Sequence, residues 1–326
     1  MVASYRFSWK GFAIVLVCLV LAALPWALNP FRVRVFTLGG IYAIATTGLT
    51  LFMGFTGQIS IGQAAFFGIG AYTSAILSKA GVPFILSFLA SGLVAAFCGL
   101  IVGFPCLRAR TFYLAMATLA FGLAMTLIFK NWTGLTGGVS GMGGIPAAGI
   151  GPFSFDGFVS YYYLVWIITA IVLFLAYRLT QSYFGLALRA IGENETAAES
   201  LSVKSYLFRL ISFLICSFLA GIAGSLFAHL DRVVAPENFT SEESIIFLSM
   251  AVIGGLKSIY GGLIGAMIFT LIGEQLRSLE RAQVIVVGGL LIFLVIFLPR
   301  GLVSFPEKME KLMSKLRGKT SLPGSL

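Results

Sequence analysis

Apolar stretches of roughly 17–25 residues, enough to cross the hydrocarbon core of a bilayer as a helix, follow one another along most of this chain. They fall at 12–28, 35–53, 61–78, 84–104, 111–129, 161–179, 206–229, 244–258, 261–276 and 283–299. The runs are continuous rather than alternating, so they predict helices and not barrel strands. The expectation is an all-α polytopic membrane protein with about ten transmembrane helices, the eighth and ninth being short. An even count puts both termini on one side. The first run follows Arg6 and Lys10 as in a signal sequence. No small-x-small cleavage site precedes Pro25 and Trp26, so it reads as an uncleaved first helix.

Two places interrupt the apolar pattern from within. Around 54–72, glycine recurs at 54, 57, 62, 68 and 70, with Thr56, Gln58, Ser60 and Gln63 among them. A glutamine at membrane depth needs a hydrogen-bond partner, and broken backbone needs protein or water beside it. This segment therefore belongs inside the bundle, and Gly57, Gln58, Ser60, Gly62 and Gln63 are the candidates for a solute path. A second break at 253–266 carries Gly254, Gly255, Gly261, Gly262 and Gly265. Transporters built from repeated halves interrupt helices at corresponding positions, so two repeated halves with broken helices are one arrangement that fits. The other account of the glycines is close helix packing through small-residue faces.

Two further stretches break the pattern from outside. Residues 130–160 are glycine-rich and have too few apolar anchors to fold alone; they read as a connector, a flexible cover or a loop packed on the mouth of the bundle. Residues 178–209 form a charged, alanine-rich island holding Glu193, Glu195 and Glu199, three of the 12 acidic residues. Asn194 is a good N-cap, Glu195 suits a first helical turn, and Gly192 permits a turn just before. Ala197, Ala198 and Leu201 then make a small-residue face that could seat in a partner's cleft or lie on the bilayer.

Composition and charge sharpen this picture. The chain has 326 residues, 59% hydrophobic and only 10% charged. The net charge of +10 resides in short loops and at the ends, without a basic stripe interleaved with aromatics, which argues against nucleic acid. With both termini in the cytoplasm, about 15 of the 22 basic residues fall inside, as the positive-inside rule asks. The island is then cytoplasmic, and Arg32 and Arg34 fit worst. A transmembrane domain is expected over 1–305, with a cytoplasmic loop at 180–205 and the external glycine-rich loop at 130–160, followed by a basic cytoplasmic tail at 306–326.

Absent chemistry narrows the function. His229 is the single histidine and sits at a span end. Glu274 is the carboxylate nearest to mid-span, so the buried ionisable group of ion-coupled carriers is missing. No nucleophile–base pair or metal-ligand cluster is spaced for catalysis, and no cofactor is expected. Cys18, Cys98, Cys106 and Cys216 lie in or beside apolar spans without paired spacing. Gly318-Lys319-Thr320 imitates the end of a phosphate loop, but Met313 stands where the first glycine is required.

Three ordered motifs carry a resemblance. Gly54-Phe-Thr-Gly-Gln-Ile-Ser-Ile-Gly-Gln-Ala-Ala-Phe-Phe-Gly-Ile-Gly-Ala-Tyr, Gly134-Leu-Thr-Gly-Gly-Val-Ser-Gly-Met and Arg189-Ala-Ile-Gly-Glu-Asn-Glu-Thr-Ala-Ala-Glu-Ser resemble the branched-chain amino-acid ABC permease family, LivM-type subunits in particular. Gly301-Leu-Val after Pro299-Arg300 also fits, so the likeness runs from about residue 35 to 305. It implies a multi-pass subunit of a bacterial inner-membrane importer. It also implies a second homologous permease subunit, two ABC ATPase subunits and an external solute-binding protein. The docking role on the ATPase would fall to Arg189, Gly192, Glu193, Ala197 and Ala198. Ser202 departs from the pattern, since the family often has glycine there. Relatives that carry urea or other small polar solutes leave the solute open, and an ion-coupled carrier, a stand-alone facilitator or a scaffold are the competing classes.

Overall fold

The computed structural model describes residues 24–26, 28–108, 111–151, 153–276 and 289. The expected span 283–299, nearly all of 12–28, Glu274's side chain and the tail 306–326 lie outside what is described.

Helix α1 (Pro30–Thr56) begins with proline at its first position, where a missing N–H costs nothing. It is followed by α2 (Gln63–Lys79), α3 (Phe84–Cys106) and α4 (Thr111–Asn131). After the glycine-rich loop come α5 (Phe158–Thr180), α6 (Tyr183–Glu193), α7 (Glu195–Ser200), α8 (Ser205–Asp231), α9 (Ser241–Gly254) and α10 (Ile259–Leu276). Five of these helices are singly long and apolar enough to span: α1, α3, α4, α5 and α8. Helix α2, at 17 residues, sits at the short end of the spanning range of roughly 17–25. Helices α9 and α10 meet at a bend of 118° and pass only as a pair, a broken span or a re-entrant element. The two short spans expected there are thus joined by a sharp bend, and ten spans are not reached among the described residues.

Burial sorts the spans into centre and periphery. In α1 and α8, 83% and 78% of the apolar window is buried, against 28–33% for α3, α4 and α5. The peripheral helices turn Leu93, Phe97, Phe112, Leu127, Ile171 and Phe174 outward, as lipid-facing surfaces do. At the centre, α8 meets α2 and α3 through a small-residue seam. A methyl added at Gly70 would collide with the Gly221 backbone, so these helices approach as closely as backbones can.

The polar loops pack on the bundle's ends. In the 130–160 loop, β1 (Met142–Gly143) pairs antiparallel with β4 (Val233–Val234), and β2 (Gly149–Ile150) pairs with β3 (Phe153–Ser154). Ile145 and Ala148 are buried. Of the readings open from sequence, packing on the mouth is the one realised. His229 pins the loop. Its Nδ1 lies 2.8 Å from the Pro146 carbonyl, which can only accept, so Nδ1 carries the proton. Nε2 then accepts from Ser74 at 3.1 Å or Ser78 at 3.3 Å. Replacing His229 with alanine strands the Pro146 carbonyl and should cost about 1–3 kcal/mol. The expected signs are a lower unfolding midpoint and faster proteolysis within 138–155; unchanged proteolysis would refute the pinning role.

Basic residues assigned by sequence to opposite sides of the membrane sit at opposite ends of the bundle. At one end Arg34 pairs with Asp231 at 2.6 Å, Arg232 with Asp156 at 2.9 Å, and Lys79 donates to the Gly143 carbonyl. At the other, Arg108 lies over the Phe104 and Tyr206 rings, Arg209 pairs with Glu195, and Arg189 and Lys257 share a cavity.

Candidate functional site

The first glycine-rich break ends α1 and starts α2 inside the bundle. Gly57 takes φ +69°, the left-handed region that glycine enters without strain, and its N–H caps the Met53 carbonyl at 3.0 Å. The chain then runs without helix to Gly62, where a side chain would collide with the Thr118 carbonyl. The Ile61 N–H donates to Thr118 Oγ1 at 3.0 Å and the Ala64 N–H to Ser244 Oγ at 3.0 Å. Thus α4 and α9 satisfy backbone donors that the break leaves open.

The candidate polar side chains are buried. Gln63 donates from Nε2 to the Ala45 carbonyl at 2.8 Å and accepts from Cys216 Sγ at 3.3 Å. Gln58 and Ser60 are 4% and 1% exposed, and Ser60 Oγ has no hydrogen-bond partner. The buried Cys216 thus has a partner that spacing alone did not reveal.

The second break, residues 255–258, turns at Gly255 with φ +115°. It packs on the first: a methyl at Gly54 would collide with the Leu256 carbonyl. The island packs on the same spot from a third side, since a methyl at Gly192 would collide with the Phe55 carbonyl. Arg189 lies over the Phe55 ring at 5.3 Å and donates to the Thr180 carbonyl at 3.4 Å. Candidates for the path and for coupling, separate in sequence, therefore meet at the last turn of α1. A cavity of about 450 Å³ lies among them, lined by Met53, Gly57, Arg189, Gly192, Glu193 and Lys257.

A second cavity, about 350 Å³, opens at the other end of α1 beside Arg34, Tyr42, Asp231 and Glu243. Tyr42 to Met53 spans roughly 16 Å along the helix at 1.5 Å per residue. That length is closed. Tyr42 packs edge-on against Phe67 and Phe247, Gln63 bonds to Ala45, and Thr46 contacts Met250.

The island is two helices, not one. Asn194 caps α7 as expected, its side chain accepting from the Ala197 N–H at 3.1 Å. Helix α6 before it was not legible as a helix. Its inward residues Gly185, Leu188 and Ile191 recur every third position, which was the available signal, but from sequence only Gly192 stood out there, as a turn before Asn194. Ala198 is 2% exposed and faces this chain's own interior. Arg189, Glu193, Ala197 and Leu201 stay outward.

Helix α7 closes in a Schellman arrangement. The Val203 N–H reaches the Ala198 carbonyl at 3.2 Å and the Ser202 N–H reaches Glu199 at 2.9 Å, which places Ser202 at φ +63°. The departure from glycine at 202 thus sits where glycine is least strained. Ser202→Gly should stabilise the chain by about 0.5–1 kcal/mol, since relief of left-handed strain exceeds glycine's greater unfolded-chain entropy. A thermal shift measures it, and a lowered midpoint would contradict the assignment.

The profile of the family described as "Branched-chain amino acid transport system / permease component" matches residues 31–295. The high-affinity branched-chain amino acid transport system permease protein LivM of Escherichia coli (strain K12) is 32% identical over 323 residues, covering 91% of this chain and 76% of the relative. LivM of Salmonella typhimurium (strain LT2) is also 32% identical, covering 92% and 76%. The LivH permease of the same E. coli strain is 26% identical, covering 83% of this chain and 94% of LivH. No solved structure matches. The chain belongs to the branched-chain amino acid transport system permease family.

Proposed function

We propose that this chain is one of two permease subunits of an ATP-driven importer for branched-chain amino acids, lying in a bacterial inner membrane with the island and both termini in the cytoplasm. Its partners are a homologous permease subunit, two ABC ATPases and an external solute-binding protein. One observation carries the reading: the island and the second break both seat on the last turn of α1, the island through Gly192 on Phe55 and the second break through Leu256 on the neighbouring Gly54. An ATPase that moves α6 and α7 thereby moves the breaks. The cavities at the two ends of α1, closed off between, are what alternating access needs; Gly57, Gln58, Ser60, Gly62 and Gln63 lie at the closure or its inner side.

Docking on the ATPase falls to Arg189 and Glu193 with Ala197 and Leu201, the last 78% exposed. Glu193→Lys combined with Ala197→Trp should abolish co-purification of the ATPases while membrane insertion continues. Normal co-purification sinks the docking assignment. Proteoliposomes holding both permease subunits, both ATPases and the binding protein should accumulate leucine only with internal ATP. Flux through this chain without ATPases, driven by an ion gradient, would instead make it a secondary carrier.

A further inference from the structure

The cavity between α1, α8, α9 and α10 places both signs of charge against apolar walls. Arg34 enters from the second turn of α1 and Asp231 from the last residue of α8, meeting at 2.6 Å with side chains 35% and 21% exposed. Glu243, in the first turn of α9, lines the same space and has no cation within ion-pair distance among the described residues. Phe227, Ile246 and Phe269 supply apolar surface, and Tyr42 closes the floor against Phe67 and Phe247. Arg34, one of the bases that fitted the charge count worst, thus has a position that the count could not foresee.

We infer that this cavity receives an aliphatic amino acid as a zwitterion, its carboxylate on Arg34, its ammonium on Glu243 and Asp231, and its side chain along Phe227, Ile246 and Phe269. The inference rests on the amino-acid importer reading and names the residues that serve it. A zwitterion brings two opposite charges that cannot leave water without matching groups. The planar guanidinium suits a carboxylate, and the second acid offers the cavity a carboxyl group without a cation of its own, which an ammonium answers. An anionic solute would face two carboxylates; a neutral one such as urea would need no ion pair. The volume lies within the range of about 300–1,000 Å³ usual for small-molecule sites. While the cavity is empty, the Arg34–Asp231 pair keeps two of its charges compensated; on binding, each exchanges one partner.

The test uses the complete importer in proteoliposomes with radiolabelled leucine. Glu243→Gln keeps the shape and removes the charge. The double exchange Arg34→Asp with Asp231→Arg keeps an ion pair but reverses it. Each should lower leucine uptake by about tenfold or more, with ATPase co-purification intact. Wild-type uptake in both variants overturns the inference. A wild-type importer that carries urea but not leucine overturns the amino-acid reading itself. A second measurement is independent of variant folding: a thiol at Asn238→Cys on the cavity rim should react about tenfold more slowly with leucine present, and not with its deaminated analogue isocaproate. Equal rates with and without leucine overturn the site.

Discussion

Gly192→Val should uncouple transport, lowering ATP-driven leucine uptake by about tenfold or more. Even the first carbon of the new side chain collides with the Phe55 carbonyl oxygen, which is backbone and has no rotamer to escape into. That backbone is itself held. Gly57 caps the turn through Met53, and Gly54 sits on the Leu256 carbonyl. Overpacking of this kind costs about 1–3 kcal/mol, and α6 is the element free to relieve it by lifting off α1. The island then loses its seat on the last turn of α1, while the spans, whose packing is elsewhere, still insert. Gly134→Ala is the control, because nothing lies within 4 Å of the added methyl. Wild-type uptake by Gly192→Val would mean that motion does not pass through this contact.

What was legible from sequence follows from what is local. Apolar runs gave the spans α1, α3, α4, α5 and α8 because lipid demands a continuous run and nothing more. The breaks were legible because glycine beside Gln58 and Gln63 has few tolerable places in a bilayer. Asn194 announced α7 through the chemistry of one residue. Three things depended on distant partners and stayed hidden. The fit between Gly192 and Phe55, and between Gly54 and Leu256, is a matter of backbone approach between segments more than a hundred positions apart. The Arg34, Asp231 and Glu243 cavity draws on three helices; taken singly, Arg34 looked like a misplaced base and Glu243 like an ordinary first-turn acid. The direction in which Ala198 faces depends on how α7 lies against the bundle, which two adjacent alanines cannot specify. The 118° angle between α9 and α10 stayed hidden too, since a run of apolar residues carries no angle.

Glu195→Ala should be more damaging than Arg209→Met, although both delete the same ion pair. Arg209, in the first turns of α8, has a side chain only 9% exposed, whereas that of Glu195 is 44% exposed. The pair also includes a second contact, from Arg209 Nη1 to Glu195 Oε2 at 3.3 Å. Removing the glutamate strands a guanidinium that already has its Nε unsatisfied. Breaking a fully buried pair in this way costs about 3–5 kcal/mol; the exposure of Glu195 reduces that to about 1–3 kcal/mol. Removing the arginine instead leaves a carboxylate that water can reach, and methionine keeps most of the arginine's apolar stem, so the loss should stay below about 1 kcal/mol. This pair is the side-chain ion pair between α7 and the central helix α8. Its rupture should therefore reach transport as well as stability: Glu195→Ala loosens the island from the helix it is meant to move. Thermal unfolding and leucine uptake measured on both variants decide the matter. An equal loss in the two, or a larger loss for Arg209→Met, would show that the pair acts through its attraction alone and not through the cation it keeps from being buried without a partner.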